Sequence, residues 1–226
     1  DAPVIGAIAQ QNLTEQSDAS ALTSTIAVNF TDLDLSDVGH SASVTHAVAS
    51  GATNGLALNE AALIELITPE DVTKAAGSTS GSVELSFSAA STAFDYLQQG
   101  QVLTLKYTVA IDDGDGGVTS RDFVITVTGT NDKPTVSATG GEITERTGTG
   151  NTTVDTITGT VTFADVDLTD RPVVSAAISE TDPIHYFDAE GNDVTETLTP
   201  AQLAAILAVL APLSVTQAAG NTHAGS

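Results

Sequence analysis

The residues best placed to do chemistry are acidic and come in short clusters. Phe30-Thr31-Asp32-Leu33-Asp34-Leu35-Ser36-Asp37 recurs as Phe163-Ala164-Asp165-Val166-Asp167-Leu168-Thr169-Asp170, at an offset of 133 residues. A third cluster is Asp112-Asp113-Gly114-Asp115-Gly116-Gly117, and a fourth is Asn131-Asp132, echoed by Asp1. Against 29 Asp plus Glu stand 6 Lys plus Arg, a formal charge of −23, so the chain cannot neutralise these clusters from its own bases. Calcium can, because it accepts six to eight oxygens from carboxylates, Asn amides and backbone carbonyls in a flexible geometry. Two Asp at i and i+2 point apart on an extended segment, but in a turn both can curl onto one ion. Asp32/Asp34 and Asp165/Asp167 are therefore assigned as Ca²⁺ ligands, with Asp1 or Asn131/Asp132 supplying the linker side. Asp112, Asp113 and Asp115 form a further candidate set, although the preference of Asp and Gly for turns explains that stretch equally well.

The elements that must position these clusters are themselves repeated. Gly129-Thr130-Asn131-Asp132-Lys133-Pro134 closes one unit and opens another, as Asp1-Ala2-Pro3 opens the first. Val72-Thr73-Lys74-Ala75-Ala76-Gly77 is answered by Val215-Thr216-Gln217-Ala218-Ala219-Gly220 at an offset of 143, which places an insertion around His185 to Asp193. Residues 1–131 read as one repeat and 132–226 as a second. The second stops where the first continues into Val83-Glu84-Leu85-Ser86-Phe87, so the natural chain is expected to run on.

Thr, Val and Ser in alternation, with Gly, Asn and Asp between the runs, predict strands at Val4–Ala9, Thr25–Phe30, Ser43–Ala49, Val83–Phe87, Val102–Ile111 and Val118–Thr128. Helices are predicted near Asn59–Ile67 and Pro200–Leu210, the latter with Thr199 as N-cap and Gln202 completing a capping box. The class is all-β: tandem immunoglobulin-like or cadherin-like sandwiches with a short helical insertion in each unit. Strand direction then puts the Asp32–Asp37 loop and the Asp112–Gly117 hairpin at one end, beside the incoming chain.

Several functions are excluded or disfavoured. Without Cys there is no disulfide, thiolate metal site or thiol catalysis. The charge repels nucleic acid and anionic membranes. No apolar run reaches the length of a membrane-spanning helix, and Leu203–Leu213 is short and broken by Pro212. His40, His46, His185 and His223 lack metal-ligand spacing and read as solvated or loop residues. Gly77-Ser78-Thr79-Ser80-Gly81 places Thr where a nucleophile elbow needs Ser. With aromatics at 4% and no Trp, paired carboxylates lack the platforms a glycosidase uses, so the chain reads as non-catalytic. Tyr96 reads as a structural corner tyrosine. Glu15 and Glu145 follow matching Leu13-Thr14 and Ile143-Thr144 pairs and are either ligands at a joint or surface charges.

The phrase Val124-Ile125-Thr126-Val127-Thr128-Gly129-Thr130-Asn131-Asp132-Lys133-Pro134, preceded by Phe94-Asp95-Tyr96-Leu97 and Leu103-Thr104-Leu105-Lys106-Tyr107-Thr108-Val109, resembles the VCBS-type repeat of giant type I-secreted (RTX) bacterial adhesins. The resemblance implies a cadherin-like fold and a calcium-dependent extender module at the bacterial cell surface, serving adhesion or biofilm formation, whose partners are calcium ions and neighbouring repeats. The linker is similar to the Asp-x-Asn-Asp-x-x-Pro phrase of cadherins, with Gly129 in place of the first Asp. The alternative is a glycan- or peptide-binding module, for which His185–Asp193, with Tyr186 and Phe187, is the expected place.

Overall fold

The structure, a computed structural model, describes residues 1–18, 20–141, 156–175, 184–188, 190–208 and 224–225. Glu145, Asn151, His223 and the phrase Val215–Gly220 lie outside the described residues. The chain divides into two compact units, Asp1–Thr135 with Ala164–Asp170, and Val136–Phe163 with Arg171–Ser226. The first unit thus takes in the second acidic loop as well as the first repeat.

The first unit is a two-sheet sandwich. Its strands are β1 (Val4–Ile5), β2 (Gln11–Thr14), β3 (Leu22–Thr31), β4 (Ser41–Gly51), β5 (Ile67–Pro69), β6 (Thr73–Lys74), β7 (Ser80–Ala89), β8 (Val102–Asp112) and β9 (Val118–Thr128). One sheet runs β1-β3-β7-β5 with β6 also on β7, and the other β2-β9-β8-β4. The first strand changes sheets between β1 and β2, giving the immunoglobulin arrangement.

Alternation along the strands builds the core. Ile26, Val28, Phe30, Val83, Leu85 and Phe87 point in from one sheet, and Leu103, Leu105, Tyr107, Val109, Phe123, Ile125 and Val127 from the other. Each large side chain buried this way contributes about 1.5–3 kcal/mol. The short helix α1 (Glu60–Glu65), capped by the Asn59 side chain on the Ala62 amide, is held to the core by Leu63 and by the Tyr107 hydroxyl, which donates to the Leu63 carbonyl at 3.2 Å.

Three strands escape the sequence pattern. The predicted Val4–Ala9 strand holds only two residues, because the chain leaves the first sheet at Gly6, whose amide donates to the Asn29 carbonyl at 2.8 Å. It then pairs in parallel with β9 as the polar Gln11–Thr14. Main-chain pairing holds this edge strand with little apolar alternation to mark it. The two remaining strands, β5 and β6, have three and two residues, too few to show a period.

In the second unit, β10 (Thr135–Thr139), β11 (Thr160–Ala164) and β12 (Ala224–Gly225) form a three-stranded sheet whose outermost residues, Thr135 and Ala164, belong to the first unit. Helix α2 (Pro200–Leu207) carries the predicted capping box, with Thr199 and Gln202 bonded reciprocally. Asp188 organises a turn through the amides of Glu190 and Asn192, beside the Phe187–Asp193 bridge. Among the described residues, no helix is long and apolar enough to cross a membrane.

Candidate metal centre

Each acidic loop follows a strand that ends in a buried phenylalanine, Phe30 or Phe163, and both loops fold alike. The Asp34 amide donates to Asp32 Oδ1 at 2.9 Å and the Asp37 amide to the Asp34 carbonyl at 3.2 Å. In the second loop the Asp167 amide donates to Asp165 Oδ1 at 3.1 Å and the Asp170 amide to the Asp167 carbonyl at 3.1 Å. A side-chain oxygen that captures the amide two residues on makes a turn that needs no tertiary support.

At the first loop, carboxylate oxygens of Asp32, Asp37 and Asp113 lie within 4.8 Å of one another, so the predicted meeting of the Asp32 loop with the β8–β9 hairpin is observed. Asp113 is held by the amides of Asp115 and Gly117, both at 2.8 Å, which keep its carboxyl below the usual range. Asp34, Asp112 and Asp115 do not join this group: Asp34 pairs with the Asp1 ammonium, Asp112 accepts from the Gly114 amide, and Asp115 is exposed. The Asp1 side chain is also exposed.

Bases serve this first loop. His40 Nε2 lies 2.8 Å from Asp32 Oδ2, and its ring stacks on Phe30, which covers Gly81 on the neighbouring strand. His40 thus lies in a loop, within the reading of a solvated or loop residue, but its side chain is buried. Lys74 Nζ donates to the carbonyls of Asp34 at 2.8 Å and Asp37 at 2.7 Å. The Asp34 amide, His40 and Lys74 hold the Asp32 carboxyl below its ordinary value despite its burial.

The second loop is in a different electrostatic position. Asp165, Asp167 and Asp170 have carboxylate oxygens within 4.8 Å of one another, and Asp167 is fully buried. The Asp132 amide donates to Asp167 Oδ2 at 2.9 Å. Burial first, then Asp170, Asp132 and Asp165, push the Asp167 carboxyl up to about 6 against that hydrogen bond. Burial, Glu15 and Asp165 raise Asp132, and burial, Asp132 and Glu15 raise Asp95. Glu15 is 2% exposed, its Oε2 accepting the Thr130 amide at 3.0 Å and the Thr130 hydroxyl.

Glu15 Oε1, Asp132 Oδ2 and Asp167 Oδ1 are buried and have no hydrogen-bond partner. Unpartnered buried carboxylate oxygens are costly, and several coupled by mutual repulsion are more so. The donor set is all oxygen, which suits a hard divalent cation such as Ca²⁺.

Of the sequence-assigned ligands, Asp165 and Asp167 come together here, and Asp132 meets them through its amide. Asn131 is exposed and its amide donates to the Asp132 carbonyl at 2.6 Å. Sequence reasoning left Glu15 open and passed over Asp95, Asp37 and Asp170. The last two were marked by recurring at the same 133-residue offset, whereas Asp95 carried no local signal. Gly129 explains why the cadherin-type first Asp is absent: a Cβ there would lie 2.1 Å from the Leu97 carbonyl oxygen. Tyr96 ties structure, its hydroxyl donating to the Ala52 carbonyl at 2.8 Å and its pKa pushed up to about 12 by burial. In the second unit, His185 Nδ1 lies 2.6 Å from Asp193 Oδ2 and its ring stacks on exposed Phe187.

No family model and no curated protein matches the chain. Among solved structures, it is similar to the CooA pilin subunit from enterotoxigenic Escherichia coli, with a TM-score of 0.38 and 10% identity over 57% of this chain and 98% of that one. It is also similar to AggA, the major subunit of aggregative adherence fimbriae type I from Escherichia coli, with a TM-score of 0.30 and 11% identity over 57% of this chain and 96% of that one.

Proposed function

We propose that the chain is a non-catalytic, calcium-stiffened extender segment of a secreted bacterial surface adhesin. The observation that carries this reading is the set of three buried, unpartnered oxygens, Glu15 Oε1, Asp132 Oδ2 and Asp167 Oδ1. They come from three places in the sequence, the end of β2, the chain after β9 and the second acidic loop. A divalent cation on the Asp165, Asp167 and Asp170 carboxylates fixes that loop and, through the Asp132 amide on Asp167, limits the swing of the chain that follows. Asp32, Asp37 and Asp113 form a second grouping, at which calcium competes with His40 for Asp32. Surface location and adhesion rest on the resemblance of the Val124–Pro134 phrase to adhesin repeats.

The mechanical role follows from the charge. Without the ion, like charges at the loop repel and the segment loosens; at the millimolar calcium outside cells, sites of modest affinity fill. Small-angle scattering of the 226-residue chain in calcium and in EGTA tests this. The maximum dimension should change between the two and its distribution narrow in calcium, and identical profiles would remove the mechanical role.

A further inference from the structure

The second acidic loop is held by more than its carboxylates. The Leu168 side chain packs against Gly55 and the Tyr96 ring, so closely that a Cβ on Gly55 would lie 2.5 Å from Leu168 Cδ1 and 2.7 Å from Tyr96 Cδ2. Gly55 also has a φ of 109°, so both its conformation and the space beside it require glycine. The Thr169 hydroxyl donates to Gln98 Oε1. Leu168 and Thr169 thus form a small plug, and Gly55, Tyr96 and Gln98 its socket.

The first acidic loop has the same backbone turn and carries Leu35 and Ser36 at the plug positions. There Leu35 is 50% exposed, and Leu33 and Val38 beside it are exposed too. An apolar side chain standing out of an acidic turn is a poor choice for a free surface. We infer that the Leu35–Ser36 turn is a docking plug whose partner is the Gly55–Tyr96–Gln98 socket of another repeat of this kind, set against it as Leu168–Thr169 is set here. The occupant is specified by the seated example within the same chain. The contact is apolar and needs no ion, so it is separable from the calcium reading.

The chain has no Cys, so a single introduced thiol reports cleanly. The test fuses an additional copy of residues 1–131 directly ahead of Asp1, which rebuilds the Thr130-Asn131-Asp phrase at the junction, and compares maleimide labelling of Leu35→Cys in the original chain and in the second copy of the fusion. Labelling should be at least about tenfold slower in the fusion, and Tyr96→Ala or Gln98→Ala in the added copy should restore the fast rate. Leu168→Cys in the original chain gives the slow reference. Each rate is read in calcium and in EGTA: slowing in EGTA as well as in calcium supports docking, while equal labelling of the two chains in EGTA overturns it. Scattering that is insensitive to calcium alongside a slowed thiol would sink the stiffening proposal and leave this one standing.

Discussion

The two acidic loops share a sequence pattern and a turn, yet the first Asp of one and the second Asp of the other have their pKa values displaced in opposite directions. Asp32 is lowered, by the Asp34 amide first and then His40 and Lys74, while Asp167 is raised to about 6 by burial and by neighbouring carboxylates. The residues at the same repeat offsets account for part of the difference. His40 corresponds to Val173, which is 91% exposed, and Lys74 corresponds in sequence to Gln217. One loop is braced by His40 and Lys74, and in the other burial and neighbouring carboxylates raise Asp167. A recurring Asp-x-Asp phrase therefore specifies a turn, and the side chains around it decide how its carboxylates titrate.

The largest expected effect is a change of sign. Asp167→Asn should weaken calcium binding roughly 100-fold, about 2.7 kcal/mol, measured by calorimetric titration. In EGTA the same substitution should stabilise the first unit at neutral pH. A carboxyl raised from 3.8 to about 6 costs on the order of 3 kcal/mol when ionised, and the amide removes that cost. Loss of stability in both media would break the comparison.

Next in size is His40→Ala, which removes the ring from Phe30 and leaves Asp32 Oδ2 unpartnered in a buried position. A loss of about 1–3 kcal/mol is expected in EGTA, read as a lower Tm. Val173→Ala, at the equivalent sequence position, should change stability by less than about 0.5 kcal/mol. Equal effects would mean that the bases around the first loop do not matter.

The ionisation cost of Asp167 can also be read as a pH dependence. In EGTA the raised Asp167 binds its proton more tightly folded than unfolded, so its contribution to stability is present below pH 3.8 and is lost as pH rises to about 6. Asp32 contributes the reverse, stability present above pH 3.8 and lost as pH falls through its lowered value. Asp167→Asn should remove the first trend and leave the second, as followed by hydrogen exchange of the loop amides.

The sandwich was legible because its strands alternate cleanly: Val83, Leu85 and Phe87, or Phe123, Ile125 and Val127, declare a buried face without reference to anything distant. The capped helix at Pro200 was legible for the same reason, since its signal is local. The edge strand Gln11–Thr14 was not, because backbone pairing with β9 rather than side-chain burial holds it. At the candidate site, the repeat exposed Asp165 and Asp167 and the linker exposed Asp132. Glu15 and Asp95 acquire their meaning only when the fold carries them toward Asp132 from more than 100 and more than 30 residues away. His40 lies in a loop, as its context suggested, but its stack on Phe30 was not legible because it depends on Gly81, a contact across strands that single-sequence spacing does not encode.

The central claim is that one divalent cation sits on the Asp165, Asp167 and Asp170 carboxylates. Anomalous diffraction from crystals of the 226-residue chain grown with calcium tests it most directly. A peak about 2.3–2.6 Å from carboxylate oxygens of Asp165, Asp167 and Asp170 is the predicted result. Well-ordered carboxylates with no anomalous peak, or the three side chains turned out into solvent, would contradict the account.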